Sequence, residues 1–151
     1  EHDSNMIHIA DNLYIDAAPD FSAGPRCEAR ILEWLRDGVE VVISLREVEF
    51  LEAAYRGLGL DFYHIPVEDF DVPSPDDVRA FLQAVAASAG RKVLAHCIAG
   101  RGRSGTMAAL YLRSRGMDGA AAVRYVRERR PGAIETPEQE DFVLEFDFGE
   151  R

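Results

Sequence analysis

A cysteine followed by a glycine- and arginine-rich turn is the part of this sequence best suited to chemistry. Residues 96–106 read His-Cys-Ile-Ala-Gly-Arg-Gly-Arg-Ser-Gly-Thr, after a short apolar run at Val93–Ala95. The apolar run predicts a buried strand, and a helix is predicted to begin near Ser104. Successive N–H groups of such a turn form an anion-binding nest, to which the helix N-terminus adds unpaired donors. Arg103 supplies a planar guanidinium that can hold two phosphate oxygens at once.

These groups favour the charged form of the Cys97 side chain. An ordinary thiol has a pKa of about 8.5, so only a small fraction is ionised at neutral pH. Backbone donors, the positive end of a helix and Arg103 all stabilise the anion. We therefore expect a thiolate at the floor of an oxyanion cradle, where it can attack a phosphorus atom in line.

Three other interpretations of this segment are weaker. The pattern Gly100-x-Gly102-x-x-Gly105 matches a dinucleotide-binding fingerprint, but it lies late in the chain and another helix follows it. A nucleotide P-loop is excluded, because the sequence has no Gly-Lys-Ser/Thr. Cys97 could also be an inert core thiol, although a structural cysteine does not usually precede an anion nest.

Composition and net charge indicate which classes of protein this chain can belong to. The chain of 151 residues is 47% apolar and 29% charged, which is typical of one globular domain. Its net charge of −10 argues against binding to nucleic acid or to anionic membranes. Residues 91–130 are the exception, with ten basic and two acidic residues. Sixteen of the 17 basic residues in the chain are Arg, the side chain best suited to oxyanions.

Cysteine usage and the lack of long apolar runs set the expected compartment. Cys27 and Cys97 are too few for a disulfide framework or a cysteine-rich zinc site, so a reducing cytoplasm is expected. No run approaches the roughly 18 apolar residues of a membrane helix, and no signal peptide is visible. Residues 1–5 precede Met6 and are interpreted as an expression remnant or a disordered end.

Strands alternate with helices along residues 6–148, which predicts one α/β domain. The predicted strands, short and rich in apolar residues, are Met6–Ile9, Leu13–Ile15, Val41–Leu45, Leu60–Ile65 and Val93–His96. The predicted helices, marked by apolar stripes and capping residues, are Arg26–Arg36, Val48–Arg56, 75–89, Ser104–Arg115, 118–129 and one that opens at Thr136. We expect a central, mainly parallel sheet of four or five strands with helices on both faces.

The segment from His96 to Thr106 resembles the signature of the cysteine-based protein tyrosine phosphatases: His-Cys, five residues, Arg, then Ser or Thr. The chain from Met6 to Phe148 is similar to small dual-specificity phosphatases, including compact archaeal and atypical members. Further similarities lie at residues 11–15, in the Val-Ile-Ser-Leu strand, at Pro66–Pro73 and at residues 131–139. The resemblance implies the cysteine-phosphatase fold and metal-free, cofactor-free hydrolysis of phosphomonoesters. The implied substrates are phosphotyrosine and, as a further option, phosphoserine or phosphothreonine in proteins.

The resemblance also implies roles for residues of the turn. Cys97 would be the nucleophile and form a phosphocysteine, while Arg103 would bind the phosphate and the transition state. Ser104 would donate a hydrogen bond to the sulfur when it leaves. His96 would fix the loop and favour the thiolate, and the simpler interpretation as a core histidine is compatible with that. The backbone cradle would come from Ile98, Ala99, Gly100, Arg101, Gly102 and Arg103.

Departure of an alcohol or phenol requires a general acid, and the resemblance places it on the loop Pro66–Pro73. Asp69 matches the family position best, because it directly precedes the bulky residue of that loop. Asp71 is the alternative, although it could be a solvated turn residue. The same Asp would later act as the base on the attacking water.

Three further side chains have two interpretations each. Gln139 could help to position the water, as a glutamine does in relatives, but Thr136-x-x-Gln139 also reads as a capping box, which we favour. Glu135 could be a second acidic group near the site. Glu47 could brace Arg103, but a surface carboxylate is the simpler interpretation.

Two rival functions stay open at this point. One is a phosphoinositide or other small-molecule phosphatase, because Arg101 and the arginine-rich segment could hold extra phosphates. The other is a phosphate-binding module without turnover, although the sequence keeps both the nucleophile and the arginine that such modules usually lose. We expect phosphoprotein substrates, no nucleic-acid or membrane partner, and a monomer.

Overall fold

A five-stranded sheet forms the centre of the molecule in the computed structural model, which describes residues 6–20, 24–98 and 100–149. Its strands, in the spatial order β1-β2-β5-β3-β4, are β1 (Ile7–Ala10), β2 (Leu13–Asp16), β3 (Val39–Ser44), β4 (Asp61–His64) and β5 (Lys92–His96). Strand β1 pairs antiparallel with β2, and the other pairs are parallel. The predicted mainly parallel sheet is confirmed. The interpretation of residues 1–5 and the role of Ala99 fall outside the described residues.

Four strands end at the same edge of the sheet. The register pairs His96 of β5 with Asp16 of β2 and with Ser44 of β3, and Ser44 in turn pairs with His64 of β4. The segments that leave these strands therefore start close together. In open α/β sheets, ligands bind in the crevice outside the carboxyl ends of the strands.

Helices cover both faces of the sheet, as predicted. They are α1 (Pro25–Arg36), α2 (Glu52–Gly57), α3 (Pro75–Ala87), α4 (Gly102–Ser114), α5 (Gly119–Arg129) and α6 (Pro137–Glu145). Trp34 of α1 and Tyr55 of α2 share one core with Val42 of β3. Helices α3 to α6 pack on the other face, where the alternate strand residues point. None of the described helices has the length and apolar character that a membrane crossing requires.

Helix α4 is the central helix of the larger core and starts two residues earlier than predicted. Every residue from Gly102 to Leu112 is buried. The carbonyl oxygen of Arg101 already accepts the N–H of Gly105 at 3.0 Å, so the first helical turn closes there. Arg103 consequently lies inside the first turn of the helix rather than in the loop before it.

The predicted helix Val48–Arg56 is wrong at its start, because α2 begins only at Glu52. The cause is Glu49, whose carboxylate is turned inward. It accepts the Nε–H of Arg46 at 3.2 Å and the N–H of Leu51 at 2.9 Å. These contacts replace the intrahelical bonds that the sequence pattern predicted.

Candidate active site

Cys97 directly follows β5 and begins the turn that leads into α4. Its side chain is buried, and its Sγ lies 3.4 Å from the hydroxyl oxygen of Ser104, which is also buried. Since Ser104 belongs to the first turn of α4, the sulfur lies beside the N-terminal end of that helix. Unpaired N–H groups and the helix dipole favour an anion at this position.

The turn is packed tightly against the end of β2. Gly100 has a φ of +74°, and a Cβ on it would lie 2.6 Å from the carbonyl carbon and oxygen of Asp16. Only glycine fits both the backbone conformation and the space. The N–H of Ala18 donates to the carbonyl oxygen of Ile98 at 3.0 Å, which ties the start of the turn to the same segment.

Arg103 is a buried cation with a fixed guanidinium, and the residue is 2% exposed. Its Nη1 donates to Glu47 Oε1 at 2.7 Å and to the carbonyl oxygen of Val67 at 2.8 Å, while Nη2 lies 3.4 Å from Asp69 Oδ1. In the described part of the chain, its Nε is the buried side-chain polar atom without a hydrogen-bond partner. Leaving a buried N–H without an acceptor destabilises the folded state by about 1–3 kcal/mol. The guanidinium is therefore arranged to donate to a further oxygen atom.

Glu47 joins Arg103 to residues 67–73, which we call the acid loop. Its second oxygen, Oε2, accepts the N–H of Asp69 at 3.0 Å. This hydrogen bond is the largest cause that holds the pKa of Glu47 at about 2, with a further contribution from Arg103. Of the two interpretations of Glu47, the contact with Arg103 is the one that the structure shows, and half-exposed Glu47 is bonded to both parts of the site.

The two candidate acids on the acid loop have different surroundings. Asp69 lies beside Arg103, accepts the N–H of Phe70 at 3.0 Å, and has a side chain that is 42% exposed. Asp71 turns back onto its own loop, where its Oδ1 accepts the N–H of Val72 at 2.7 Å. Of the two carboxylates, Asp69 is the one that the structure brings next to Arg103.

Two exposed apolar residues lie in the two loops that meet here. Phe70 of the acid loop is 60% exposed, and Ile98 of the Cys97 turn is 54% exposed. Phe70 also has a φ of +65°, a left-handed conformation that is rare for a bulky residue. Strain of this kind is concentrated at functional sites and must be offset by surrounding contacts.

His96 is fully buried behind the turn and is uncharged at neutral pH. Burial lowers its pKa to about 4, although nearby Glu49 opposes this shift. Its Nδ1–H donates to the carbonyl oxygen of Cys97 at 3.2 Å, because a carbonyl can only accept. The hydroxyl of Tyr55 therefore donates to Nε2, at 2.9 Å. His96 thus holds the main chain of Cys97 by a hydrogen bond and not by charge.

The start of α6 also reaches the site. The capping box expected for Thr136 and Gln139 is present. Gln139 makes a second contact that the sequence did not indicate, since its Nε2 donates to the carbonyl oxygen of Asp71 at 3.1 Å. The carboxylate of Glu135 packs directly against Gly102, at the place where a Cβ would point.

Arg101 lies at the edge of the turn with an exposed side chain. Its main chain is well anchored, because its carbonyl oxygen also accepts the N–H of Ile134 at 3.1 Å. Its side-chain Cδ lies 3.4 Å from the position that a Cβ on Gly132 would occupy. Arg101 is therefore placed at the surface beside the turn, while Arg103 lies inside.

Sequence reasoning missed Tyr55, Glu49 and Asp16 as residues that support the site. Asp16 is buried and accepts hydrogen bonds from Arg30 at 2.6 Å and from Trp34 at 2.9 Å, directly behind Gly100. Asp16 ends β2 and Glu49 lies shortly after β3, so the rule on carboxyl ends of parallel strands could have indicated both. Nothing local in the sequence marks Tyr55.

No metal-binding cluster is found in residues 6–20, 24–98 and 100–149: three or more His, Cys, Asp or Glu side chains do not come together in a way that could hold an ion. The polar groups that converge are instead a thiol, a guanidinium and two carboxylates. These groups can bind an oxyanion, attack it and transfer a proton.

A family and several known proteins are similar to this chain. The sequence model of the family described as "Swiss Army Knife protein, DSP-PTPase phosphatase domain" matches residues 21–143. The crystal structure of Tk-PTP in the active form is 32% identical, with 93% of each chain covered and a TM-score of 0.79. A structure of kinase associated phosphatase has a TM-score of 0.81 at 21% identity, which shows a common fold.

Curated sequences give a consistent result over part of their length. Dual specificity protein phosphatase CDC14AB of Danio rerio is 30% identical over 113 residues, which cover 74% of this chain and 18% of the relative. An uncharacterized protein of Methanocaldococcus jannaschii, MJECL20, is 36% identical over 86 residues, which cover 55% of this chain and 57% of the relative. The match therefore spans about half the length of this archaeal relative.

Proposed function

The chain belongs to the DSP-PTPase family of cysteine-based phosphatases, and on that premise we propose that it hydrolyses phosphomonoesters, chiefly phosphotyrosine in proteins. One observation carries the proposal. The guanidinium of Arg103 lies beside the turn that begins with Cys97, where it is buried and fixed by Glu47 and Val67. Among the residues that the structure describes, its Nε has no hydrogen-bond partner. A dianionic phosphate provides the acceptor oxygens that this arrangement favours.

The first step transfers the phosphoryl group to sulfur. The thiolate of Cys97 attacks the phosphorus atom, an S–P bond forms, and the P–O bond to the leaving group breaks. Asp69 gives its proton to the departing oxygen and becomes a carboxylate. Arg103 and the N–H groups of the turn stabilise the equatorial oxygens, where charge is spread in the transition state.

The second step hydrolyses the phosphocysteine. The carboxylate of Asp69 takes a proton from water while the water oxygen attacks phosphorus, so inorganic phosphate leaves and Asp69 is again protonated. The S–P bond breaks with both electrons on sulfur. Ser104, whose hydroxyl lies 3.4 Å from Sγ, donates a hydrogen bond that stabilises the sulfur anion as it departs.

The surroundings of the site support an aryl substrate. Phe70 and Ile98, each more than half exposed, offer apolar surface on the two loops beside the reacting groups. An aromatic ring of a substrate would bury part of this surface, at roughly 25 cal/mol per Å² of apolar area. Phosphotyrosine brings such a ring, whereas phosphoserine does not.

Exposed Arg101 supports a second candidate, a phosphatase for inositol phosphates or phosphoinositides. Its guanidinium lies at the surface beside the turn, where a second phosphate group could be bound. Yet Glu135 lies against Gly102 on the same stretch and would repel a further anion. We therefore rank the phosphotyrosine substrate first.

The test is a substrate panel with the purified protein in the presence of EDTA. We expect turnover of p-nitrophenyl phosphate and phosphotyrosine peptides, slower turnover of phosphoserine and phosphothreonine peptides, and weak release from inositol phosphates. Arg103→Lys keeps the charge but not the planar fork, and we expect it to lower kcat/KM by about 10²–10³-fold. Failure to turn over any ester would contradict the proposal, and the highest rate on inositol phosphates would favour the second candidate.

A further inference from the structure

Gln139 is fully buried, and both its amide oxygen and its amide nitrogen make hydrogen bonds. Its Oε1 accepts the N–H of Glu135 at 2.8 Å and the N–H of Thr136 at 3.2 Å. Its Nε2 donates to the carbonyl oxygen of Asp71 at 3.1 Å. One amide thus closes the first turn of α6 and bonds to the acid loop.

The helix cap requires the oxygen of Gln139 but not its nitrogen. Glutamate serves as well as glutamine at this position of a capping box, because the cap needs only an acceptor. A carboxylate here would place a charged oxygen against the carbonyl oxygen of Asp71, away from water. The bond to Asp71 is therefore what makes an amide, and not an acid, the suitable group.

The acid loop depends on contacts from outside itself. Phe70 holds a left-handed backbone at φ +65° while its side chain is 60% exposed, so little packing offsets the strain. Among the described residues, three side chains from other elements bond to the main chain of the loop: Arg103 to the Val67 carbonyl, Glu47 to the Asp69 N–H and Gln139 to the Asp71 carbonyl. Of these three side chains, Gln139 bonds to the part of the loop that follows Phe70.

Gln139 also lies close to the start of α4. Its Nε2 lies 3.3 Å from the position that a Cβ on Gly102 would occupy. Gly102 is the first residue of α4, next to Arg103. The same amide group therefore lies between the acid loop and the start of the helix that carries Arg103.

We infer that Gln139 is a positioning residue for proton transfer: by holding the carbonyl of Asp71 it keeps Asp69 at the leaving oxygen during the first step. The inference rests on the proposed function, because it assigns Gln139 to the acid step of that reaction. It differs from a role in orienting the attacking water, which would act only in the second step.

The two roles affect different kinetic constants. The ratio kcat/KM reports events up to phosphoryl transfer to Cys97, whereas hydrolysis of the phosphocysteine affects kcat alone. Leaving groups of high basicity, such as phenol, need the proton of Asp69. Leaving groups of low basicity, such as 2,4-dinitrophenol, depart without one.

The test variant is Gln139→Glu, which keeps the shape and the capping oxygen but loses the donor at neutral pH. We expect kcat/KM for phenyl phosphate to fall about tenfold or more, as for a displaced catalytic group. For 2,4-dinitrophenyl phosphate we expect kcat/KM to change less than twofold. In an Asp69→Asn background the same substitution should have little further effect on phenyl phosphate, because coupled residues are not additive.

Two controls separate the inference from a loss of structure. Thr136→Ala weakens the cap and leaves the bond to Asp71, so it should lower the Tm without changing the ratio of the two kcat/KM values. Glu138→Gln changes a charge on the exposed face of the same helix and should change neither property. Should Gln139→Glu fold poorly at neutral pH, it is measured at about pH 5, where a protonated buried carboxyl regains a donor and should recover the wild-type ratio.

The outcomes distinguish this inference from the proposed function. If the wild-type protein turns over neither ester, the proposed function fails. If the wild-type protein is active and Gln139→Glu lowers kcat/KM equally for both esters, the positioning role is wrong. A fall in kcat alone, with phosphocysteine accumulating, would assign Gln139 to the water step instead.

Discussion

The Cys97 turn and the acid loop meet at one site but are held in opposite ways. Cys97, Gly100, Gly102 and Arg103 are buried between the end of β5 and the first turn of α4. Their positions are set by the strand, the helix and the fit of Gly100 against Asp16. The acid loop is largely exposed and contains a strained Phe70. It is held by Glu47, Arg103 and Gln139, which belong to other elements.

This difference suggests a division of tasks. Binding an oxyanion and attacking it require groups that are fixed before the substrate arrives. Delivering a proton requires a group that reaches solvent and then the substrate, so its loop is attached by a few replaceable hydrogen bonds. Substitutions in the turn should therefore remove chemistry, whereas substitutions around the acid loop should change its rate.

Cys97→Ser should have the largest effect. A serine hydroxyl is not ionised at neutral pH, so we expect turnover of p-nitrophenyl phosphate to fall to background. Binding of inorganic phosphate, measured by isothermal titration calorimetry, should persist because Arg103 and the turn are unchanged. Residual turnover near the wild-type rate would mean that Cys97 is not the nucleophile.

Asp69→Asn tests the acid loop and should have the next largest effect. We expect kcat for phenyl phosphate to fall by about 10²–10⁴-fold, as is usual for loss of a general acid. Asp71→Asn is the matched control, because an asparagine oxygen can still accept the N–H of Val72. If Asp71→Asn gives the larger loss, the acid lies two residues further along the loop.

Glu47→Gln tests the connection between the two regions. It removes the charge that pairs with Arg103 and weakens the acceptor for the Asp69 N–H, so we expect kcat/KM to fall about tenfold. Glu52→Gln removes an exposed carboxylate that pairs with Arg56 on α2 and should leave activity unchanged. Equal activities of the two variants would show that Glu47 does not support the site.

His96 and Glu47 should make the free energy of unfolding of the protein depend on pH in two different ranges. The pKa of His96 is lowered to about 4, so between pH 6.5 and 4 the unfolded chain binds a proton that the folded chain does not, and stability falls as the pH falls. The pKa of Glu47 is lowered to about 2, which by the same argument adds a loss between pH 4.5 and 2. The second loss should be the smaller one, because Glu47 is half exposed and screened by solvent.

Urea unfolding at a series of pH values measures both effects. His96→Asn should flatten the dependence between pH 6.5 and 4, and Glu47→Gln should flatten it only below pH 4.5. A dependence that is unchanged in His96→Asn would contradict the assignment of His96 as a buried neutral group.

The same contrast explains how much of the molecule could be predicted from the sequence. The strand before Cys97, the glycine turn and Arg103 are contiguous, so local rules place them together. The largely parallel sheet and the capping box of Thr136 with Gln139 follow from periodicity and capping residues in the same way.

Contacts between distant segments could not be predicted in that way. The bond of Glu47 to Arg103 joins residues 56 positions apart, and that of Gln139 to Asp71 joins residues 68 positions apart. The first contact depends on the order of the strands, and the second depends on where α6 packs. Neither is encoded in a short sequence pattern. Glu49 is a second example. Its buried carboxylate accepts the N–H of Leu51, so α2 begins at Glu52 although the sequence pattern predicts a helix from Val48.

Trapping the covalent intermediate tests the central claim most directly. The protein and its Asp69→Ala variant, which should hydrolyse the intermediate slowly, are mixed with p-nitrophenyl phosphate, quenched in acid, digested and analysed by mass spectrometry. We predict one added phosphoryl group on the peptide that contains Cys97 and none on the peptide that contains Cys27, whose thiol is buried in the other core. Turnover without phosphorylated Cys97, or with the phosphoryl group on another residue, would contradict the account.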